Sequence, residues 1–300
     1  MLDYHLHLWP HGRPATAVTV DQLAAYCERA AAVGVGEIAV TEHLFRFIQA
    51  DAVLAGFWDE DPSPVLRLAM AAYWRDHATA DLDAYVGTIE AAKAAGLPVL
   101  LGLEVDHYAG RMDTVAALLD GYPFDVLLGS VHWLGAWGFD NWEDPAFSAE
   151  WDIRSTDAVW AAYATAVEEL AASGLCDVLA HPDLPKVAGR AGAAPEEVYD
   201  RLADAAAGAG MVAEVSSAGW RKPAAEPYPA PALLRRFRAR GVAVTTASDA
   251  HTVADVGRGV GALGAVLSAA GYTEVTAYRG RVRRAVAIPA TAGTAGRPGS

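Results

Sequence analysis

Positive charge and cysteine are both scarce in this chain. Among 300 residues there are 23 Lys and Arg against 37 Asp and Glu, for a formal net charge of -14. A polyanionic partner, whether nucleic acid or an anionic bilayer, needs a cationic face, and this balance argues against either. The two cysteines, Cys27 and Cys176, sit in apolar segments and read as reduced core residues, as expected in the cytoplasm. No uninterrupted apolar run reaches the roughly 18 residues of a membrane span. The opening MLDYHLHLWP has neither the basic start nor the apolar centre of a signal peptide, so none is expected. A glycine-rich dinucleotide loop and a P-loop are also missing, and no Ser or Cys nucleophile motif is evident.

What is present is ample core material, with 53% of residues hydrophobic, in a length that suits one α/β barrel. Short β-type runs at 2–7, 36–41, 98–105, 124–131, 176–180, 211–216 and 242–247 alternate with Ala-rich stretches. The latter predict helices near 20–33, 81–95, 112–120, 156–173, 195–209, 230–240 and 254–270. Pro195 suits a first helical position, and Gly34, Gly96, Gly174, Gly210 and Gly241 suit helix ends. Seven βα units predict a parallel sheet wrapped by helices, closed or nearly closed into a barrel, with an open doubly wound sheet as the competing architecture. The barrel is expected over 1–288, followed by a flexible tail at 289–300. Segments 44–80 and 133–155 break the alternation and read as insertions at the barrel mouth, where substrate pockets form. Most of their tryptophans (Trp58, Trp74, Trp133, Trp137, Trp142, Trp151) are expected simply to pack these insertions down.

The histidines carry the functional signal. His5 and His7 are two apart on a strand and share a face. Glu42 and His43, Glu104, His132, His181, and Asp249 with His251 lie at the ends of five further strands. In a parallel barrel those ends converge on one mouth, so six of the seven predicted strands deliver metal-ligating residues to one place. Burying so many imidazoles and carboxylates together is costly without a cation to neutralise them. Imidazole with carboxylate suits Zn, Mn, Fe or Co, and a carboxylate such as Glu104 can bridge two ions. His11, in the loop LWPHGRP, is a further candidate at the mouth. His77 and His107 fall outside the pattern, and His107 reads as a surface residue. An acidic chain that handles an anionic substrate needs local positive charge, and metal ions supply it.

The series HLH, TEH, GLE, GSVH, AHPD and SDAH, running from Asp3 to about His251, resembles the PHP (polymerase and histidinol phosphatase) superfamily. Within it, DYHLHL, GSVHWL, HPDLPKV and SSAGWRKPAAEPYPAPALL are most similar to the histidinol-phosphate phosphatases. The resemblance implies a distorted (β/α)7 TIM-like barrel with two or three divalent metals at the C-terminal strand ends. It implies three ligand groups: His5, His7, Glu104 and Asp249; Glu104, His132 and His181; and His11, His43 and His251. It also implies hydrolysis of L-histidinol phosphate, a step of histidine biosynthesis, by a metal-activated water. Arg221, Lys222 and Lys186 are expected to bind phosphate oxygens. Asp249 or His251 would manage the leaving-group proton. Trp133 and the acidic run from Asp140 to Asp144 would face the rest of the substrate. Another small phosphate ester, a nucleotide or an oligonucleotide is the alternative substrate, and a metal-dependent sensor that turns nothing over is the alternative to an enzyme.

Overall fold

A computed structural model describes residues 1–288, so the tail expected at 289–300 lies outside the described residues. In chain order the strands are β1 (Leu2–Asp3), β2 (Glu37–Val40), β3 (Val99–Asp106), β4 (Val126–Ser130), β5 (Trp133–Leu134), β6 (Trp137–Gly138), β7 (Val178–Leu179), β8 (Val212–Ser216), β9 (Val244–Ala247), β10 (Glu274–Arg279) and β11 (Val282–Ala287). Seven of them form one parallel sheet in the order β1-β2-β3-β4-β7-β8-β9. Spatial order follows chain order without the reversal of a doubly wound sheet, which removes that alternative. The two edges meet. Tyr4 N–H donates to Thr246 O at 3.0 Å, and His7 N–H to Ala250 O at 2.8 Å. The result is a distorted (β/α)7 barrel. β3 is buried along all eight residues, as a parallel strand covered on both faces must be. Its Gly102 allows β2 to approach, since a Cβ there would stand 2.6 Å from Thr41 Cγ2.

Helices form where the alternation places them, at Val20–Ala32, Leu82–Ala94, Met112–Leu119, Thr156–Ala172, Glu196–Gly208, Pro231–Ala239 and Val260–Ala269. Thr19 and Ser155 cap two of them, accepting from the N–H groups of Gln22 and Ala158. Two boundaries differ from expectation. Pro195 is the residue before its helix rather than the first within it. The stretch 254–270 is split into a single 3-10 turn, Val253–Asp255, and a helix that begins only at Val260. Gly257, with φ +69°, interrupts it. Its N–H is donated to the Asp3 carboxylate at 2.8 Å, and a Cβ there would meet Val33 Cγ2 at 2.5 Å.

The 44–80 insertion is largely helical, with Ile48–Leu54 and Pro64–His77. The second helix escaped the periodicity because apolar residues occupy both its faces. Trp74 is buried while Leu68, at 73% exposure, faces solvent. The 133–155 insertion holds the β5–β6 hairpin and the short helix Pro145–Glu150. The β10–β11 hairpin was not expected. Gly280 and Arg281 both adopt positive φ, +52° and +63°, in the two-residue turn that matches strand twist. This hairpin covers the N-terminal end of the barrel, where Gly280 N–H donates to Asp125 Oδ1 at 2.9 Å and Arg281 Nε to Asp177 Oδ2 at 2.8 Å. No helix among the described residues is long and apolar enough to cross a membrane.

Candidate metal centre and substrate cavity

At the opposite end, a cavity of about 430 Å³ is lined by His11, His43, Glu104, His132, His181, Asp249 and His251, together with residues of both insertions. Glu104 is the hub. Its Oε2 lies 3.1 Å from His5 Nε2, 3.5 Å from His7 Nε2 and 2.8 Å from His43 Nδ1. Its Oε1 lies 3.4 Å from His132 Nε2 and 3.0 Å from His181 Nε2. Asp249 Oδ1 stands 3.5 Å from His7 Nε2 and 3.9 Å from His5 Nε2. The His251 ring stacks on His7 at 4.2 Å and on the exposed His11 at 3.7 Å, and His11 is 6.2 Å from His43.

The donor set fits a divalent metal. Candidate ligand atoms converge within 4.8 Å in four groups: His5, His7 and Asp249; His5, Glu104 and His181; His7, His43 and His251; and His43, Asp106 and His132. His5 Nε2, His7 Nε2, both ring nitrogens of His43, His251 Nε2 and Glu104 Oε2 are buried with no hydrogen-bond partner. Each such atom costs about 1–3 kcal/mol unless a ligand satisfies it. The electrostatics call for the same cation. Burial would raise the Glu104 carboxyl, but the His5, His43 and His132 imidazoles override it and hold the group well below the usual range. Burial would lower His132, yet Glu104, Asp106 and Asp140 push it up to about 10. His43 and His251 are held well below the usual value, chiefly by burial.

Three buried carboxylates stand behind the histidines, and two of them, Glu214 and Asp106, are not among the residues expected at the site. Glu214 Oε2 accepts from His5 Nδ1 at 2.7 Å, and Asp106 Oδ1 from His132 Nδ1 at 2.5 Å. Both bonds place the proton on Nδ1 and turn Nε2 toward the centre, a common support for metal-binding imidazoles. Glu42, one of the candidates at its strand end, stands behind His7 and outside the four converging groups. Its Oε1 accepts from the N–H of Trp9 at 3.0 Å, and its Oε2 lies 3.6 Å from His7 Nδ1. The available signal was an acidic residue inside an apolar strand, as in GLEVD and VAEVS. Asp3 accepts from Ser248 N–H at 2.7 Å and so anchors the loop bearing Asp249. Asp249 and His181 both have positive φ, +51° and +26°, and backbone in that region is retained where the surrounding structure over-determines it.

The remaining expected residues divide. Trp133 and Lys222 line the cavity, and Lys222 Nζ lies 5.4 Å from the centre of the Trp142 ring, joining the loop after β8 to the second insertion. Arg221 does not line it. One guanidinium nitrogen, Nη2, donates to Ser248 O at 2.7 Å, while Nη1 is buried without a partner. Lys186 differs from expectation. Its ammonium is committed to Asp183 at 2.8 Å, Glu226 at 2.9 Å and the Pro227 carbonyl at 2.8 Å, which leaves no donor for a phosphate. His107 is buried rather than at the surface, with Nε2 3.0 Å from Glu169 Oε2. His77 lines the cavity. Of the tryptophans, Trp58 and Trp74 pack on each other at 5.5 Å and Trp137 and Trp151 at 5.0 Å, away from the cavity lining.

Comparison with known proteins places this arrangement. Residues 5–218 match the PHP domain, and the chain belongs to the PHP domain family. A curated relative, the probable histidinol-phosphatase of Deinococcus radiodurans, is 41% identical over 211 residues, covering 69% of this chain and 78% of that protein. The crystal structure of histidinol phosphate phosphatase from Lactococcus lactis, complexed with zinc, L-histidinol and phosphate, superposes with a TM-score of 0.66 at 18% identity. It covers 94% of this chain and 98% of that one. A crystal structure of a histidinol phosphatase assigned in Listeria monocytogenes gives 0.67 at 20% identity over 86% and 98%. At those identities the two structures speak for the fold.

Proposed function

We propose that this protein is a metal-dependent phosphatase that hydrolyses L-histidinol phosphate to L-histidinol and phosphate. The observation that carries the reading is the convergence of five imidazoles on the buried Glu104 carboxylate at one cavity. The relative in Deinococcus radiodurans, named a probable histidinol-phosphatase, supports the substrate. The residues proposed to hold the metals are His5, His7, Glu104 and Asp249 for one ion, Glu104, His132 and His181 for a second, and His11, His43 and His251 for a third. Zinc, the ion named in the Lactococcus lactis structure, is the favoured ion among Zn, Mn, Fe and Co. Divalent cations there would lower the pKa of a water toward neutrality and offset charge on phosphoryl oxygens.

The chain's own groups do the rest. Glu214 and Asp106 keep the His5 and His132 rings turned inward, and Asp3 holds the Asp249 loop. Lys222, which lines the cavity, and Arg221, whose Nη1 is buried and unpartnered beside the Asp249 loop, are the groups proposed to donate to phosphate oxygens. Asp249 or His251 is proposed to pass the proton given up by the attacking water to the departing alkoxide. Trp133 and the acidic Asp140, Glu143 and Asp144 line the cavity and suit a substrate that carries an aromatic ring and an ammonium. Acidic walls in a cavity of about 430 Å³ favour such a small ester over an oligonucleotide. The test is phosphate release by purified protein of known metal content, across histidinol phosphate, mononucleotides and phenyl phosphate. A marked preference for histidinol phosphate is expected. Equal or faster cleavage of a nucleotide would overturn the assignment.

A further inference from the structure

We infer that His77 determines specificity in this cavity, accepting a hydrogen bond from an N–H of the substrate's aromatic nitrogen heterocycle. The inference rests on the substrate proposed above and names the group that reads its ring. His77 is the last residue of the helix Pro64–His77 in the first insertion, 7% exposed, and it lines the cavity apart from the Glu104 cluster. Its Nδ1 lies 2.6 Å from the carbonyl oxygen of Tyr73. A carbonyl has no proton to give, so Nδ1 carries the hydrogen and Nε2 presents a lone pair. Burial and the nearby Arg46 guanidinium lower the imidazole's pKa, which keeps the ring neutral and Nε2 an acceptor. Among the described residues no protein group donates to Nε2.

The surroundings select what can reach that lone pair. His77 stacks on Tyr73 at 4.1 Å and meets the edge of Phe45 at 5.9 Å, and Phe45 in turn packs on Trp133 at 5.6 Å. Tyr73, Phe45 and Trp133 all line the cavity. The result is an aromatic wall with one fixed acceptor in it. A phenyl ring would fill such a place but leave the acceptor unpaired, whereas an imidazole supplies the missing N–H. A site built this way rejects the analogue that lacks the donor. Arg46 cannot take this role, because a guanidinium has no lone pair to offer, and its Nη1 and Nη2 donate to the carbonyls of Arg13 and Pro10 at 3.1 and 3.2 Å.

The test compares kcat/KM for histidinol phosphate with that for phenylalaninol phosphate, which keeps the phosphate, the ammonium and an aromatic plane but lacks the ring N–H. The metal-loaded wild-type protein should prefer histidinol phosphate. In His77→Leu the ratio of the two values should fall about tenfold or more. His77→Gln, whose amide oxygen can stand near the place of Nε2, should retain most of the ratio, and the shorter His77→Asn should not. The Gln and Asn pair carries the test should the Leu variant fold poorly. Both substrates losing rate in parallel, with the ratio held, would mean that His77 only packs the wall and would overturn the inference. A wild-type protein with no preference between the two esters would remove the substrate assignment itself, and this inference with it.

Discussion

The two ends of the barrel treat buried acids in opposite ways. At the N-terminal end, Asp125 Oδ2 accepts from Lys93 Nζ at 2.7 Å and Leu101 N–H at 3.0 Å, and its Oδ1 from Gly280 N–H at 2.9 Å. Asp177 is similarly engaged by Leu127 N–H and the Arg281 guanidinium. At the C-terminal end, Glu104 Oε2 and most of the imidazole nitrogens around it are buried with no hydrogen-bond partner. A satisfied carboxylate holds architecture together. An unsatisfied one, kept in place by neighbours that are themselves braced, is preorganised for a ligand. At the mouth two of the site residues themselves, His181 and Asp249, adopt positive φ, whereas the positive φ of Arg281 at the other end serves a hairpin turn.

The comparison breaks most severely at Glu104. Glu104→Gln should lower turnover by roughly 10²–10³-fold or more and reduce bound metal, because the hub loses its charge while the far end is untouched. Metal content and rate near wild type would remove Glu104 from the centre. Next in size is Asp106→Asn, which removes the acceptor that orients His132. Metal affinity, read by titration into the metal-free protein, should fall by up to about 100-fold with little loss of melting temperature. A lower melting temperature with affinity intact would class Asp106 with the acids of the far end.

Arg221→Ala should leave metal content unchanged and lower kcat/KM by about 10- to 100-fold, the consequence of losing one charged hydrogen bond of about 1.5–3 kcal/mol. An unchanged kcat/KM would reduce Arg221 to a brace on the Ser248 carbonyl. The smallest effect is expected at the other end. Burial raises the Asp125 carboxyl, but its bonds from Lys93, Gly280 and Leu101 override that and lower its pKa. A folded pKa below the unfolded value of about 3.9 contributes stability above that pH and loses it as pH falls through the folded pKa. Asp125→Asn should therefore cost about 1 kcal/mol at neutral pH, discounted for the partly exposed lysine, with kcat/KM of the folded protein unaffected. Its unfolding free energy should also decline less steeply than wild type below about pH 4. Equal acid slopes would show that Asp125 adds nothing to this end's stability.

What the amino-acid sequence determined by itself was the local part of the plan. Short apolar β-type runs, glycine helix ends and a ligand-type residue at the end of six runs are short-range signals. Seven parallel strands in chain order lie on those runs, although β1 keeps only Leu2–Asp3 of the expected 2–7 and leaves His5 and His7 just beyond it. Convergence of His5, His43, Glu104, His132, His181, Asp249 and His251 then follows from barrel topology. Only the tertiary structure decided how each group is used. Glu214 lies 209 residues from the His5 it orients, a relation that no local pattern encodes. Lys186 looks from its position like a phosphate contact, yet Glu226 and the Pro227 carbonyl, brought in from the loop after β8, take its donors. His77 sits in a helix whose pattern gives no sign of the cavity, and its tautomer depends on one bond to the Tyr73 carbonyl. Backbone elements answer to neighbours within a few residues, whereas protonation, charge pairing and access depend on whatever the closed barrel brings within about 4 Å.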